Sequence, residues 1–290
     1  MDFIVFDLEW NVAGKVNKVD KATQDAIPFE IIEIGAVKLD AELRQTSKFS
    51  VFIRPRVYPV LSGQVASVTR RLQQSLKYGL TFPDAARGFL EWCGPDYLFC
   101  TWSENDTSAL KMNLKYYGLA DQLRVRCLDV QYLFDELIEQ ADMQRSIEYA
   151  VDFLRLPKSQ PFHQAVNDAW YTGRILAEIS AIMHKERPDL HLADRYAFDP
   201  NINRSSQLFL NDHVSVEEAL THLQSLPLHC PACESALTQT REWQLEGSKA
   251  QAGFTCPEHG RIIGKSRFRV KDSAKVQAFV TIRLDRDREA

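Results

Sequence analysis

The chain reads as an α/β protein: helices flank a mixed β-sheet, and a small cysteine-bearing β module follows. Three observations predict this. Three β-branched and aromatic runs come in succession, and further such runs then alternate with amphipathic stretches of helical period. That order suits a mixed sheet with helices on both faces. Near the C-terminal end, Cys230-Pro-Ala-Cys233 and Cys256-Pro-Glu-His259 form two short knuckles. Finally, 290 residues accommodate one domain of about 150–200 residues plus a smaller one. The expected division is 1–187, a linker with a short helix over 188–225, and 226–290.

Strands are expected over Asp2–Glu9, Glu30–Leu39 and Lys48–Arg54, where β-branched and aromatic residues concentrate. The polar insertion Asn11–Pro28 between the first two could act as a mobile flap. Helices are expected near Gln64–Lys77 and Pro83–Cys93, then a strand at Tyr97–Thr101 and a helix over Asp106–Tyr117. A strand at Val125–Leu128 precedes helices near Val130–Glu139, Ser146–Leu154 and Gln164–Lys185. Between Arg187 and Val214 the pattern is polar and broken by prolines, which reads as a linker. Ser215-Val216-Glu217-Glu218 is a capping box that opens a short helix to about Ser225.

The most informative feature lies in the first strand, Phe3-Ile4-Val5-Phe6-Asp7-Leu8-Glu9-Trp10. Strand side chains alternate, so Asp7 and Glu9 project from one face. At roughly 4–5 Å and an effective dielectric of about 20, two such charges repel by on the order of 3–4 kcal/mol. Either one carboxylate is protonated or a metal ion sits between them. Two later segments offer partners. Asp106, in Thr101-Trp102-Ser103-Glu104-Asn105-Asp106, falls in a first helical turn at the carboxyl end of a strand. His163 and Asp168, in Phe162-His163-Gln164-Ala165-Val166-Asn167-Asp168, fall at the entry of the last long helix. Their spacing lets both reach one point. Taken singly, Asp106 could be no more than a favourable charge at a helix N-terminus. It is the five positions together that outweigh that reading.

These three segments, in this order, resemble the motifs of the DEDDh-type 3′–5′ exonucleases, a superfamily of ribonuclease-H-like fold. Glu30–Val37 also resembles that superfamily's second strand, and the likeness covers about Met1 to Arg187. The bacterial KapD-like proteins, and eukaryotic relatives that trim histone-mRNA ends and small RNAs, are the branch it resembles most. The resemblance implies that Asp7, Glu9, Asp106 and Asp168 bind two Mg²⁺ or Mn²⁺ ions and that His163 is the general base. It implies release of nucleoside 5′-monophosphates from free 3′ ends of single-stranded nucleic acid, with RNA favoured by the branch. Glu9 and the backbone just after it would meet the terminal 3′ hydroxyl, with Leu8 also binding the substrate. Trp10 either packs near that nucleotide or fills the sheet edge.

The residue types agree with that chemistry. Carboxylates are hard oxygen ligands suited to Mg²⁺ or Mn²⁺, and paired ions assist in-line displacement at phosphorus. Histidine is the side chain that ordinarily exchanges protons near neutral pH. Two departures from the family pattern stand out. Ser103 replaces a common glycine, and Val68-Thr69-Arg70-Arg71-Leu72 replaces a Leu-Thr-Gly-Ile-like element that walls the nucleotide pocket. Arg70 and Arg71 could contact phosphates instead.

Six cysteines divide into two groups. Cys93, Cys100 and Cys127 are isolated in apolar surroundings and read as small core residues. Cys230, Cys233, Cys256 and His259 have the spacing of a zinc-ribbon-like site, because each short turn delivers two ligands to one structural Zn²⁺. A disulfide between Cys230 and Cys233 is the competing reading, disfavoured in a reducing compartment. From Leu226 to Ala290, 11 Lys and Arg stand against 8 Asp and Glu, a net +3, while the rest carries −7. Within that tail, Arg267-Phe268-Arg269-Val270-Lys271 alternates basic and apolar residues. As a strand it puts Arg267, Arg269 and Lys271 on one face, with Phe268 and Val270 buried beneath. The basic face either contacts a nucleic-acid backbone or is simply solvated.

Composition excludes other classes. The 45% hydrophobic content is that of a globular protein. No run approaches the roughly 18–20 apolar residues of a membrane span, and no secretory leader opens the chain. A cytoplasmic protein without a membrane partner is expected. No residue pattern identifies a protein partner, so the competing class, a regulatory binding module that retains the fold, stays open.

Overall fold

The structure, a computed structural model, describes residues 1–290 apart from 64, 67–72, 121–122, 141–143, 271–274 and 286–290, and apart from the side chains of 73, 75 and 212. It divides into two compact units, Met1–Asn201 and Ile202–Ala290. Arg70, Arg71 and Lys271 fall outside the described residues, as does most of the helix expected near Gln64–Lys77, of which Gln73–Lys77 is described.

The first unit is built on a five-stranded sheet of order β3-β2-β1-β4-β5. Its strands are β1 (Asp2–Val12), β2 (Phe29–Leu39), β3 (Gln45–Phe52), β4 (Tyr97–Thr101) and β5 (Cys127–Asp129). β1 pairs antiparallel with β2 and parallel with β4, so the sheet is mixed. The alternation along β1 decides what lies where. Ile4, Phe6 and Leu8 face a core shared with the helices Phe82–Cys93 and Glu104–Tyr116, through Phe89, Ala109 and Leu110. Val5 faces a second core with Tyr171, Ile175 and Ile179 of the helix Ala165–Glu186. Asp7 and Glu9 continue the row of Val5, past the point where apolar packing ends.

One contact fixes that long helix over the site. Gly35 on β2 lies opposite Asp7 in register. A Cβ at Gly35 would stand 2.0 Å from the Val166 nitrogen and 2.2 Å from the Ala165 carbonyl carbon. Only glycine lets the first turn of Ala165–Glu186, which carries Asp168, settle so closely on the sheet. Gly35→Ala therefore forces the helix away, at the upper end of the about 1–3 kcal/mol typical of overpacking, or beyond it. Thermal melting should show this loss together with weaker Mn²⁺ binding. A variant with the original melting temperature would mean the helix is seated elsewhere.

The insertion between β1 and β2, expected as a mobile flap, is tied to a neighbouring loop at Asn11 and Asn17. Asn11 Nδ2 donates to the Tyr58 and Val60 carbonyls, both at 2.8 Å, and Asn17 Nδ2 donates to Val60 O at 2.6 Å. Buried Glu30 accepts the backbone N–H groups of Arg56, Val57 and Tyr58, pinning the same loop from the sheet side. Buried amides and carboxylates at such positions carry backbone groups that would otherwise lack partners.

The stretch expected as a linker is structured. Leu190, Leu192 and Tyr196 pack on the second core of the first unit, and Phe198 exchanges two 2.8 Å backbone hydrogen bonds with Cys127. Ser205–His213 is a strand, β6, of the second unit. Its inward Leu208 and Leu210 alternate with Gln207 and Phe209, a period-two signal masked by the polar residues around it. The capping box holds: Ser215 Oγ accepts from Glu218 N at 3.1 Å and opens the helix Val216–Ser225.

The second unit is accordingly larger than the ribbon expected over 226–290. It is a five-stranded sheet of order β6-β10-β9-β8-β7, with β7 (Thr238–Glu246), β8 (Lys249–Cys256), β9 (Gly260–Val270) and β10 (Val276–Leu284). Ala219 and Leu223 of its helix pack with Phe254, Ile262, Phe268 and Val280 on one face of the sheet. Phe268 is buried as expected, but Val270 is 70% exposed, since β9 ends there. Among the described residues, no helix is long and apolar enough to cross a membrane.

Candidate active site and cysteine centre

The acidic site forms where β1 outruns its parallel neighbour. β4 pairs with β1 only as far as Val5↔Cys100. Beyond that point the Leu8 N–H finds a carboxylate instead of a strand, donating to Asp106 Oδ1 at 3.0 Å. Asp106 is held there by the first turn of Glu104–Tyr116, whose N-cap is Ser103. On the other side, β1 and β2 shift register after Glu9, pairing Glu9 with Glu33 and Trp10 with Ile31. A bulge of this kind increases local twist and re-aims side chains. Trp10 borders the acidic cleft and packs on Phe29, with ring centroids 5.3 Å apart.

Carboxylate oxygens of Asp7, Glu9 and Asp168 lie within 4.8 Å of one another. Asp106 is not part of that set; its Oδ1 serves Leu8. All four acids and His163 nevertheless line one cleft of about 650 Å³, together with Leu8 and Trp10. His163 is exposed and takes a left-handed backbone, φ 63°, at the entry of the long helix. Its N–H donates to Asp168 Oδ2 at 2.9 Å, which stabilises that uncommon conformation.

Electrostatics mark the acids as crowded. Burial, then the charges of Asp106, Asp168, Glu9 and Glu33, hold the Asp7 carboxyl well above its ordinary range. Burial lifts Asp106 to about 7, against the Leu8 N–H, which favours the ionised form. Burial lifts Asp168 to about 6, opposed by the His163 N–H. Carboxyl groups pushed up by desolvation and by one another are those that a bound cation would bring back to the charged state. The donor set fits a hard divalent cation for a second reason. Asp168 Oδ1 is buried without a hydrogen-bond partner among the described residues. Asp7, Glu9 and Asp168 are therefore the residues that could hold such an ion, with Asp106 beside them.

Sequence reasoning missed Glu33 and Arg145. Glu33 is 1% exposed and faces Glu9 across the strands, so its charge acts on both Asp7 and Asp168. An acid inside the near-continuous apolar run of β2 was the signal. Arg145 carries the only guanidinium or ammonium among the described residues lining the cleft. It stacks on Tyr149 at 4.3 Å and pairs with Glu139, while its carbonyl accepts Trp102 Nε1 at 2.9 Å. It sits in a short loop with no motif around it.

The second centre lies in the C-terminal unit. Cys230, Cys233, Cys256 and His259 present ligand atoms within 4.8 Å of one another. Cys233 and Cys256 sulfurs are 3.6 Å apart, and His259 Nδ1 is 3.8 Å from Cys230 and 3.7 Å from Cys256. Ligands about 2.3 Å from a tetrahedral ion stand about 3.8 Å apart, so the set fits a structural zinc. All six cysteines are free thiols, so the Cys230–Cys233 disulfide is not formed. Hydrogen bonding with Ser235 lowers Cys233 to about 7, favouring the thiolate that a metal needs. Cys93, Cys100 and Cys127 are buried, and burial lifts each thiol well out of the reactive range.

The fold and the acidic cleft together define a mixed α/β domain with a carboxylate site able to hold a divalent cation. An exonuclease family model, RNase T, matches residues 4–176, and the chain belongs to that family. Solved structures share the fold at low identity. The chain aligns with cell-death related nuclease 4 (CRN-4) at 18% identity and a TM-score of 0.52, covering 62% of this chain and 64% of that one. It thus spans less than two thirds of that nuclease. The nuclease domain of 3'hExo, a DEDDh family member bound to rAMP, aligns at 17% identity and 0.55, covering 66% of this chain and 95% of that domain. S. pombe Pop2p in its Mg²⁺- and Mn²⁺-bound form aligns at 16% and 0.51, covering 67% and 87%. No curated protein sequence matches the chain.

Proposed function

We propose that the chain is a divalent-metal-dependent 3′–5′ exonuclease of the DEDDh type, within the KapD-like branch, acting on single-stranded RNA. The observation that carries this reading is the convergence of Asp7, Glu9 and Asp168 around the unpartnered Asp168 Oδ1. Two Mg²⁺ or Mn²⁺ ions held by these acids and Asp106 would supply charge to activate water and steady the leaving 3′ oxygen. The protein's own residues do the rest. Glu9, Leu8 and Trp10 receive the terminal nucleotide in the cleft, and His163 takes the proton from the attacking water. Nucleoside 5′-monophosphate leaves through the open mouth. The preference for RNA rests on the branch the chain resembles and on no residue of the site, with the rAMP held by the 3'hExo domain in agreement.

On the same reading, the C-terminal centre holds one zinc that folds a ribbon-like β module and takes no part in hydrolysis, since the protein fills all four positions. The enzyme would work in the cytoplasm, where thiols stay reduced. A single preparation tests these points. With Mg²⁺, 5′-labelled RNA should shorten to a descending ladder that EDTA abolishes, and metal analysis should return one zinc per chain. A ladder from DNA alone would reassign the substrate. No shortening of either nucleic acid would favour a protein-binding role for the fold, and a zinc-free protein would remove the second centre.

A further inference from the structure

The outward face of the C-terminal sheet carries a feature that neither metal centre uses. One face of this sheet is covered by its own helix and the apolar cluster around Phe254 and Phe268. On the other, register pairs Phe209 with Phe279, Phe279 with Arg267, and Arg267 with Lys249. Paired residues in a sheet share a face, so two phenylalanines and two cations form one row across four adjoining strands. Phe209 is 65% exposed and Phe279 38% exposed, and their rings meet at 5.0 Å and 61°. Large apolar rings presented together to water mark an interaction surface.

The surroundings say of what kind. The next row on the same face holds Gln207, Thr281, Lys265 and Gln251, all able to hydrogen-bond. The row on the other side brings Arg269 opposite Gln277. Two acids, Glu242 and Glu246, sit on β7, the edge strand farthest from β6 and Phe209, where Glu246 pairs in register with Lys249 and ends the row. Rings flanked by cations and by neutral amides are what an unpaired polynucleotide requires. Its bases stack on aromatic faces, its phosphates need positive charge, and duplexed bases have no free face to offer.

We propose that this face is a stacking platform for single-stranded nucleic acid, in which Phe209 and Phe279 seat bases while Arg267 and Arg269 hold phosphates. It rests on the exonuclease reading for its ligand class and extends it to the second unit of the chain.

The test uses the full zinc-loaded chain without added Mg²⁺ or Mn²⁺, with fluorescence anisotropy of a labelled 12-mer oligouridylate. Phe209→Ala/Phe279→Ala should weaken binding by about tenfold for each base unseated. Phe209→Leu/Phe279→Leu, which keeps apolar bulk without the ring, should weaken it comparably and melt as the unmodified protein does. Arg267→Gln/Arg269→Gln should lower the salt slope by roughly 0.7 for each phosphate no longer neutralised. Unchanged affinity in both phenylalanine variants overturns the platform. So does a dimer of the unmodified protein that these substitutions dissociate while oligonucleotide binding persists, since the face would then be an interface between copies. Hydrolysis of a dinucleotide by the unmodified protein in Mn²⁺ tests the exonuclease reading separately.

Discussion

Asp7→Asn should abolish hydrolysis in Mg²⁺ or Mn²⁺ and, without added divalent metal, raise the melting temperature. The first effect follows from losing the central member of the carboxylate set. Metal-borne stabilisation of a transferring phosphoryl group amounts to several kcal/mol, hence a loss of about 10³-fold or more. The second follows from the way burial and neighbouring charges raise the Asp7 carboxyl above its ordinary 3.8. Because the native state holds that proton more tightly than the unfolded chain, stability is full below the unfolded value and falls as pH rises through the native one. Asp106 and Asp168, lifted to about 7 and about 6, add losses in the same direction. Without added divalent metal the unmodified protein should therefore melt lower at pH 8 than at pH 5. The Asp7→Asn substitution should narrow that difference, and saturating Mn²⁺ should remove most of it from the unmodified protein. An Asp7→Asn protein that melts below the unmodified one at pH 8 without added divalent metal would mean that these acids do not repel.

His163→Ala should lower turnover by about 10²–10⁴-fold, the range for a lost general base, with affinity for a non-hydrolysable oligonucleotide retained. The left-handed backbone at His163 complicates this variant, because alanine at φ 63° is strained whereas glycine is not. His163→Gly relieves the strain and removes the same imidazole. If the rate loss is chemical, both variants show it alike, and the glycine variant melts no lower than the alanine variant. If His163→Gly hydrolyses at the original rate, the proton goes elsewhere and the base has been misassigned.

Much of the site could be seen in the sequence because each part carries a local signal. Two acids on an apolar strand violate the burial pattern, and His163 and Asp168 share one helix entry. The sequence could not show that Asp106 stands aside from the closest carboxylate set, because that depends on where β4 stops and which N–H of β1 is left open. Nor could it show Gly35 beneath Val166, a contact between residues far apart along the chain. Strand β6 was hidden for a different reason. Its two inward leucines are too few to stand out among serines, asparagines and an outward phenylalanine. The spacing of the cysteine knuckles was legible, since both pairs are set within single turns, but the extent of the sheet around them was not.

The pairing of β6 with β10 reaches beyond the sheet itself. The second unit is entered and left on neighbouring strands, so its natural seam lies before Ser205 and not at the cysteine knuckles. A fragment cut at 226 would strip β10 of a neighbour and leave a row of backbone donors and acceptors bare to other chains. The module is indivisible on that side: whatever it grips, it must carry its first strand to do so.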